Sequence, residues 1–222
     1  MIMVQYGAYG EVSRMITIRC ARPSDAPHIT RLVLFSAPTF LPAVFGPGID
    51  RAVEEMAAGQ GTLFSHEHAV IAEEAGTVRG MLLAYSGVVK AAQDPRTGLA
   101  LLGVLRTGMI RRLPRLLKLQ STIGRIGKNE YYISNVAVYP EQRGRGIGSL
   151  LIARASDEAQ KSAIVRLVLD VETENPDAQR LYERLGFRVV NESRPFVIED
   201  HTFAFRRMAL VRQTRPEAAF AS

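Results

Sequence analysis

The sequence has 222 residues, of which 47% are hydrophobic and 23% charged, the ordinary balance of a globular protein. This length suffices for one large domain, or for a domain with an insert, around a hydrophobic core. Cys20 is the single cysteine, so an internal disulfide and a multi-cysteine metal site are excluded. No stretch reaches the about 18 apolar residues of a membrane span, and no basic leader precedes an apolar run. The sequence therefore predicts a cytoplasmic protein.

The net charge of +6 is concentrated in one segment. Between Lys90 and Lys128, nine basic residues stand against Asp94 alone, a local charge of +8 that leaves −2 for the rest of the chain. Leucines alternate with these basic residues in a helical rhythm, which predicts one or two basic amphipathic helices at about 90–128. Pro114 is expected to break or kink them. The alternatives are a solvated basic face, a nucleic-acid-binding surface without aromatic stacking residues, and a membrane-surface contact.

In chain order, the pattern predicts a mixture of strands and helices before this segment. Residues 1–16 match no element and are predicted to be an N-terminal extension, with Met15 as an alternative start. The elements that follow are a strand at 17–21, a helix from Ser24 or Asp25 to about Ala37, a loop at 39–50, a short helix at 50–58, and a hairpin of strands 68–74 and 77–88 that turns at Ala75-Gly76.

A glycine-rich turn, residues 142–148, lies between a predicted strand at 131–140 and a predicted helix at 149–161. Such a turn leaves backbone N–H groups converging on one spot, which favours a phosphate, and Arg143 and Arg145 add positive charge at its rim. A P-loop would need a lysine beside Gly148, and a Rossmann fingerprint has a different glycine spacing, although Asp170 and Glu172 lie near the position of its acidic residue. A tight turn without a ligand is the remaining alternative.

A second segment begins after a predicted buried strand at 163–171. Asn175 suits a helix N-cap, Pro176 the first helical position and Gly186 the position after the helix. Because this helix is short, Tyr182 is expected close to the preceding strand. Strands at 187–191 and 202–211 are predicted to pair antiparallel, and 212–222 is predicted to be a C-terminal tail.

Together these two segments resemble the GCN5-related N-acetyltransferase (GNAT) superfamily. The resemblance rests on Arg143-x-x-Gly146-x-Gly148 after a Val-Ala-Val strand, and on Asn175-x-x-Ala178-x-x-Leu181-Tyr182-x-x-x-Gly186-Phe187. It implies the α/β (α+β) acyl-CoA N-acyltransferase fold, in which helices flank a mixed, mostly antiparallel central sheet. Residues 17–211 would form a single domain, with the basic helical insert flanking the substrate side.

The resemblance also implies direct transfer of acetyl from acetyl-CoA, as cosubstrate and without a metal, to a primary amine of a small molecule or a protein. Tyr182 would protonate the thiolate leaving group, and a backbone N–H near Val136 or Ala137 would polarise the acetyl carbonyl. The alternative for Tyr182 is a core aromatic, and for Asn175 a pure N-cap. The residues expected at the cofactor are Val136, Ala137, Val138, Arg143, Gly144, Arg145, Gly146, Ile147, Gly148, Ser149, Asn175, Ala178 and Tyr182.

The base that deprotonates the amine is less clearly indicated. Histone-type members of the family carry a glutamate where this sequence has Tyr132. Glu130 lies two residues earlier on the same face and is predicted to serve as catalytic base, directly or through water, with Glu172 and His201 as comparable candidates. His66-Glu67-His68 lacks a third metal-binding partner and is expected to be an exposed loop.

The acceptor amine is not identified by any motif. Its pocket is expected to form from residues 35–45, the insert and residues 192–201. The basic insert favours one alternative, an RNA-bound amine such as an aminoacyl-tRNA, and the unclear base favours another, a non-catalytic acetyl-CoA-binding regulatory module. A homodimer is a further expectation.

Overall fold

The structure is a computed structural model that describes residues 15–120 and 123–211, without the side chains of residues 105–120. The predicted N-terminal extension, apart from its last two residues, and the predicted tail lie outside the described residues. The helices are α1 (Ala26–Ser36), α2 (Phe40–Phe45), α3 (Ile49–Ala58), α4 (Gly87–Gln120), α5 (Ile147–Lys161) and α6 (Pro176–Arg184). The strands are β1 (Ile16–Cys20), β2 (Ala69–Glu74), β3 (Thr77–Ser86), β4 (Glu130–Val138), β5 (Arg166–Glu172), β6 (Arg188–Glu192), β7 (Phe196–Ile198), β8 (His201–Phe203) and β9 (Phe205–Val211).

Seven of these strands form one sheet in the order β1-β2-β3-β4-β5-β9-β6. Every neighbouring pair is antiparallel except β4 and β5, which run parallel. A parallel pair needs a crossover connection, and α5 supplies it. The predicted mixed, mostly antiparallel sheet flanked by helices is confirmed.

Helices cover both faces of the sheet. One hydrophobic cluster joins α1 and α3 to Met81 and Leu83 of β3. The other joins α5 to Leu82 and Ala84 of the same strand. Because successive side chains of a strand point to opposite faces, the residues of β3 from Met81 to Ala84 are apolar on both faces, and this part of the strand lies in the middle of the structure.

The predicted hairpin of β2 and β3 is confirmed. Its two-residue turn has positive φ at both positions, 48° at Ala75 and 76° at Gly76. Turns of this hand match the right-handed twist of the strands that they join.

The basic segment folds into one long helix, α4, which contacts α2, α3, β3 and β4. The predicted break at Pro114 is wrong, because α4 remains helical to Gln120, and a kink there stays a prediction. A proline removes one backbone hydrogen bond, and the turns on either side of it continue the helix. In the part of the chain that the structure describes, no helix is long and apolar enough to cross a membrane.

Two short elements were not predicted, α2 within the expected loop and β7 within the expected link, and the predicted strand at 202–211 is divided at Ala204 into β8 and β9. They meet in an aromatic cluster, where the ring of Phe40 lies 5.2 Å from Phe203 and 5.0 Å from Phe205. Ile123, just after α4, packs against the same cluster. Such short apolar pieces have no periodicity of their own, and the packing between them decides their structure.

Candidate active site

Strands β4 and β5 part at the centre of the sheet. They pair only from Glu130 to Tyr132 on β4 and from Arg166 to Val168 on β5, and β4 then continues to Val138 without pairing to β5. Opposite β3, the register of β4 shifts between Ile133 and Asn135, which leaves Ser134 as an extra residue. A bulge of this kind bends a strand away from its neighbour. Backbone polar groups on the β5 side of Val136–Val138 therefore line a gap.

The glycine-rich turn lies at the far end of β4. Gly144 and Gly146 have φ of 77° and 76°, a region that favours glycine. Gly146 is the N-cap of α5 and makes no side-chain capping bond, so the N–H groups of the first helical residues, 147–149, have no acceptor within the helix. These donors, at the positive end of the α5 dipole, suit a phosphate.

The two arginines of this turn have different surroundings. Arg143 is exposed. Arg145 is exposed as well, but it also contacts the carboxylate of Glu74 at the end of β2, with Nη2 at 2.5 Å from Oε1. That carboxylate also binds Arg79 at 3.0 Å and is only 2% exposed.

Helix α6 has both of the caps that its sequence predicts. The Asn175 side chain accepts a 3.1 Å hydrogen bond from the Ala178 N–H. At the other end, the Gly186 N–H donates to Glu183 O at 3.0 Å and the Phe187 N–H donates to Tyr182 O at 3.0 Å, the paired bonds of a Schellman motif. The N-capping role of Asn175 is confirmed, and its contact with a cofactor stays a prediction.

Tyr182 of α6 lies on the α5 side of the sheet. Its ring packs 5.9 Å from Phe187 and contacts the cluster that contains Val171. Burial raises the pKa of its hydroxyl to about 12, so Tyr182 is protonated at neutral pH. A protonated hydroxyl at this place can donate a proton to a leaving group.

Asp170 of β5, which the sequence indicated only as a possible Rossmann acidic residue and not as a base, lies on the opposite face of the sheet. Its Oδ2 accepts hydrogen bonds from the Tyr132 hydroxyl at 3.1 Å and from the Gly124 N–H at 2.9 Å. Burial raises the pKa of Asp170 above its usual range, since burial outweighs the hydrogen bond from Gly124 and the nearby charge of Arg207. One feature of the sequence pointed to Asp170 as a functional residue: it is an aspartate inside the otherwise apolar strand 167–171.

The predicted base, Glu130, lies where β4 and β5 are still paired. Its carboxylate contacts Arg166 at 3.1 Å, Arg207 at 3.4 Å and the Gly127 N–H at 2.8 Å. A cavity of about 510 Å³ opens beside it. The residues lining this cavity are Arg125, Ile126, Gly127, Glu130, Asp170, Asn191, Ser193, Phe205 and Arg207.

The two other candidate bases lie apart from this cavity lining. Glu172 is half-buried near the end of β5, and burial together with repulsion from Glu174 raises its pKa. His201 is exposed on β8 and stacks 6.1 Å from Phe203.

The expectation that residues 66–68 form an exposed loop is wrong for His66. They form a 3-10 turn in which His66 is buried and its Nδ1 lies 2.9 Å from Ala57 O. The backbone carbonyl satisfies the imidazole, which is why the ring can be buried. Within the described ranges, no group of three or more metal-binding side chains is present.

Comparison with known proteins identifies the family. Residues 44–187, more than half of the chain, match the model of the acetyltransferase (GNAT) family. The chain belongs to this family.

Individual relatives match over shorter stretches. An acetyltransferase of Agrobacterium fabrum is 36% identical over 73 residues, which are 33% of this chain and 52% of that protein. The [ribosomal protein bS18]-alanine N-acetyltransferase of Salmonella typhimurium is 39% identical over 59 residues, 27% of this chain and 40% of that protein. The chain thus spans about half or less of the length of these curated relatives.

Solved structures share the fold. An N-acetyltransferase from Staphylococcus aureus Mu50 superposes with a TM-score of 0.61 at 22% identity, covering 87% of this chain and 100% of that one. A Salmonella typhimurium protein solved with its cofactor acetyl-CoA gives a TM-score of 0.54 at 21% identity, covering 92% and 99%.

Proposed function

We propose that this protein transfers an acetyl group from acetyl-CoA directly to a primary amine. The observation that carries the proposal is the gap between β4 and β5, which has the glycine-rich turn at one end and ionisable side chains on both faces. Asp170 faces one side of the sheet and Tyr182 packs against the other. Donor and acceptor can therefore approach the same point from opposite faces.

The chain's own backbone fits the donor. The uncapped N–H groups at 147–149 would bind the pyrophosphate, and the unpaired edge of Val136–Val138 would pair with the amides of the pantetheine arm as an added strand does. Asn175 and Ala178, at the start of α6, would lie beside that arm. Bound acetyl-CoA supplies a thioester, whose carbonyl carbon accepts the amine while the thiolate departs.

Tyr182 and the β4 backbone assist that exchange. A backbone N–H near Val136 or Ala137 polarises the acetyl oxygen, and the Tyr182 hydroxyl gives its proton to the departing sulfur. The pKa of about 12 keeps this proton in place until the sulfur develops negative charge.

Asp170 is a better-placed base than Glu130. Its Oδ2 takes the bonds from Tyr132 and Gly124, while among the described residues its Oδ1 has no hydrogen bond and is left for the amine. The raised pKa makes Asp170 a stronger proton acceptor than an ordinary carboxylate. Glu130 is held by two guanidinium groups, with which an incoming ammonium would have to compete.

The test uses labelled acetyl-CoA with a cell extract separated into small-molecule, protein and RNA fractions. Label that depends on both Tyr182 and Asp170 in one fraction would establish transfer and name the acceptor class. Label in the RNA fraction would favour the RNA-bound amine. Bound acetyl-CoA without transfer to any fraction would contradict the enzyme and favour the regulatory module.

A further inference from the structure

An ion pair between an exposed arginine and a buried carboxylate ties the glycine-rich turn to the β2–β3 hairpin. Glu74, the last residue of β2, is 2% exposed. Both of its oxygens contact Arg145, Oε1 to Nη2 at 2.5 Å and Oε2 to Nη1 at 3.3 Å. Arg79 of β3 approaches Oε2 at 3.0 Å. Residues 71 positions apart in sequence are thus joined by a two-point contact.

This contact is of the strong kind. A guanidinium that meets both oxygens of a carboxylate is held in one orientation as well as attracted. Opening this contact would remove one of the two guanidinium groups that compensate the buried Glu74 carboxylate, so the arrangement resists opening. Arg79 lies on the adjacent strand and keeps the carboxylate in place whatever the turn does.

The anchored residue lies between two glycines. Gly144 and Gly146, on either side of Arg145, both have positive φ, and an added Cβ at either would meet nothing within 4 Å. Such a peptide has many accessible conformations, and fixing it costs conformational entropy. The Arg145 side chain, which also contacts Gln142, restricts the turn before any ligand binds.

We propose that Glu74 is a positioning residue for the donor. Through Arg145 it holds the glycine-rich turn in the conformation that binds pyrophosphate, and Arg143 is the arginine of the turn that meets the phosphate charge. This inference rests on the proposed use of acetyl-CoA. The inference makes the opposite prediction from a direct contact between Arg145 and the phosphate. If Arg145 bound the phosphate itself, Glu74 would compete with the phosphate for Arg145, and removing the Glu74 charge would strengthen binding.

Calorimetric titration with acetyl-CoA distinguishes Arg145 as an anchor of the turn from Arg145 as a phosphate ligand. Glu74→Gln and Arg145→Gln are each expected to weaken binding about tenfold, and the double variant to be no weaker than the weaker single one, since both remove the same contact. With S-acetylpantetheine, which lacks the pyrophosphate, all three variants should bind as the wild type does. Arg143→Gln should weaken acetyl-CoA binding additively with either.

Glu73→Gln is the matched control. Glu73 is adjacent on β2, carries the same charge and pairs with Arg19 at 2.7 Å, away from the turn. It should leave acetyl-CoA affinity unchanged. If Glu74→Gln does not fold, Arg145→Lys carries the test, because the Arg145 side chain is 42% exposed and Glu74 stays paired with Arg79. Lysine keeps the positive charge of the turn but cannot make the two-point contact with Glu74. Weakened acetyl-CoA binding by Arg145→Lys would support the inference, and unchanged binding would overturn it.

Three results would overturn the inference. Unchanged or tighter acetyl-CoA binding by Glu74→Gln would make Arg145 itself the phosphate ligand. Equal losses with acetyl-CoA and S-acetylpantetheine would mean a general structural defect. A wild-type protein that binds no acetyl-CoA would refute the proposed function together with this inference, whereas wild-type binding with an unaffected Glu74→Gln would refute the inference alone.

Discussion

The Tyr132 hydroxyl donates a 3.1 Å hydrogen bond to Oδ2 of Asp170, across the point where β4 and β5 separate. Tyr132 is itself buried, and burial together with the nearby Asp170 charge raises its pKa well above the usual value. It therefore remains a hydrogen-bond donor throughout the pH range in which Asp170 titrates. The bond fixes one carboxylate oxygen, Oδ2, and we expect the other to serve the amine.

Asp170→Asn is expected to lower kcat by about 10²–10⁴-fold, the usual contribution of a general base. In the wild type, kcat/KM should rise with pH as Asp170 loses its proton, at a pH above the ordinary aspartate range because its pKa is raised. That limb of the pH profile should be absent in the variant. Glu130→Gln is the comparison. If the rise of kcat/KM with pH is lost in Glu130→Gln but retained in Asp170→Asn, the base is Glu130.

The same substitution should stabilise the fold at neutral pH. Because the folded state favours protonated Asp170, ionisation costs stability as the pH rises through the raised pKa. The side-chain amide that replaces the carboxylate carries no charge, and its oxygen can still accept from Tyr132 and Gly124. We expect Tm to rise by about 2–4 °C at pH 8, equivalent to about 1 kcal/mol, and the difference to vanish in acid, where the wild-type carboxyl is protonated in both states. A lower Tm at pH 8 would show that the charge is stabilising.

Tyr182→Phe should lower kcat by about 10²-fold while the Kd for acetyl-CoA stays the same. The phenyl ring keeps the packing against Phe187, so the loss is confined to the proton of the hydroxyl. Single-turnover measurement of the chemical step at saturating acetyl-CoA tests this directly. Undiminished turnover would leave Tyr182 as a core aromatic.

Gly146→Ala should weaken acetyl-CoA binding through the backbone alone. An added Cβ meets no atom within 4 Å, but φ of 76° costs an alanine about 1–2 kcal/mol. The turn can relieve this cost by leaving the conformation that we propose binds phosphate. Gly103→Ala is the control, since position 103 of α4 is equally open and helical. We expect that variant to bind normally and to unfold at a slightly higher temperature. Normal binding by Gly146→Ala would show that the turn tolerates a relaxed backbone.

RNA binding through the basic segment at 90–128 stays a prediction. If the acceptor amine is carried by RNA, affinity for a tRNA should fall steeply between about 50 and 200 mM salt, because bound counterions are released from the phosphates. The variant R111Q/R112Q/R115Q should lower the slope by about three. Affinity independent of salt would remove this alternative.

Local sequence was enough to predict much of the framework. The caps of α6 at Asn175 and Gly186, the hairpin turn at Ala75-Gly76 and the strand–turn–helix around Gly146 all depend on residues within a few positions of each other. In each case the local backbone favours a residue type. An unpaired N–H at a helix start favours a side chain that accepts a hydrogen bond, and a positive φ favours glycine. These local rules also carried the family resemblance.

The sequence by itself determined the helices, strands and turns that depend on neighbouring residues, and it determined the two motifs that these elements contain. Only the tertiary structure decided which charges meet: that Glu130 binds Arg166 and Arg207, that Asp170 is buried beside Tyr132, and that Arg145 contacts Glu74. A carboxylate's chemistry depends on its desolvation and on the charges within a few ångströms. Those neighbours come from strands far apart in the chain, and the folded sheet alone brings them together.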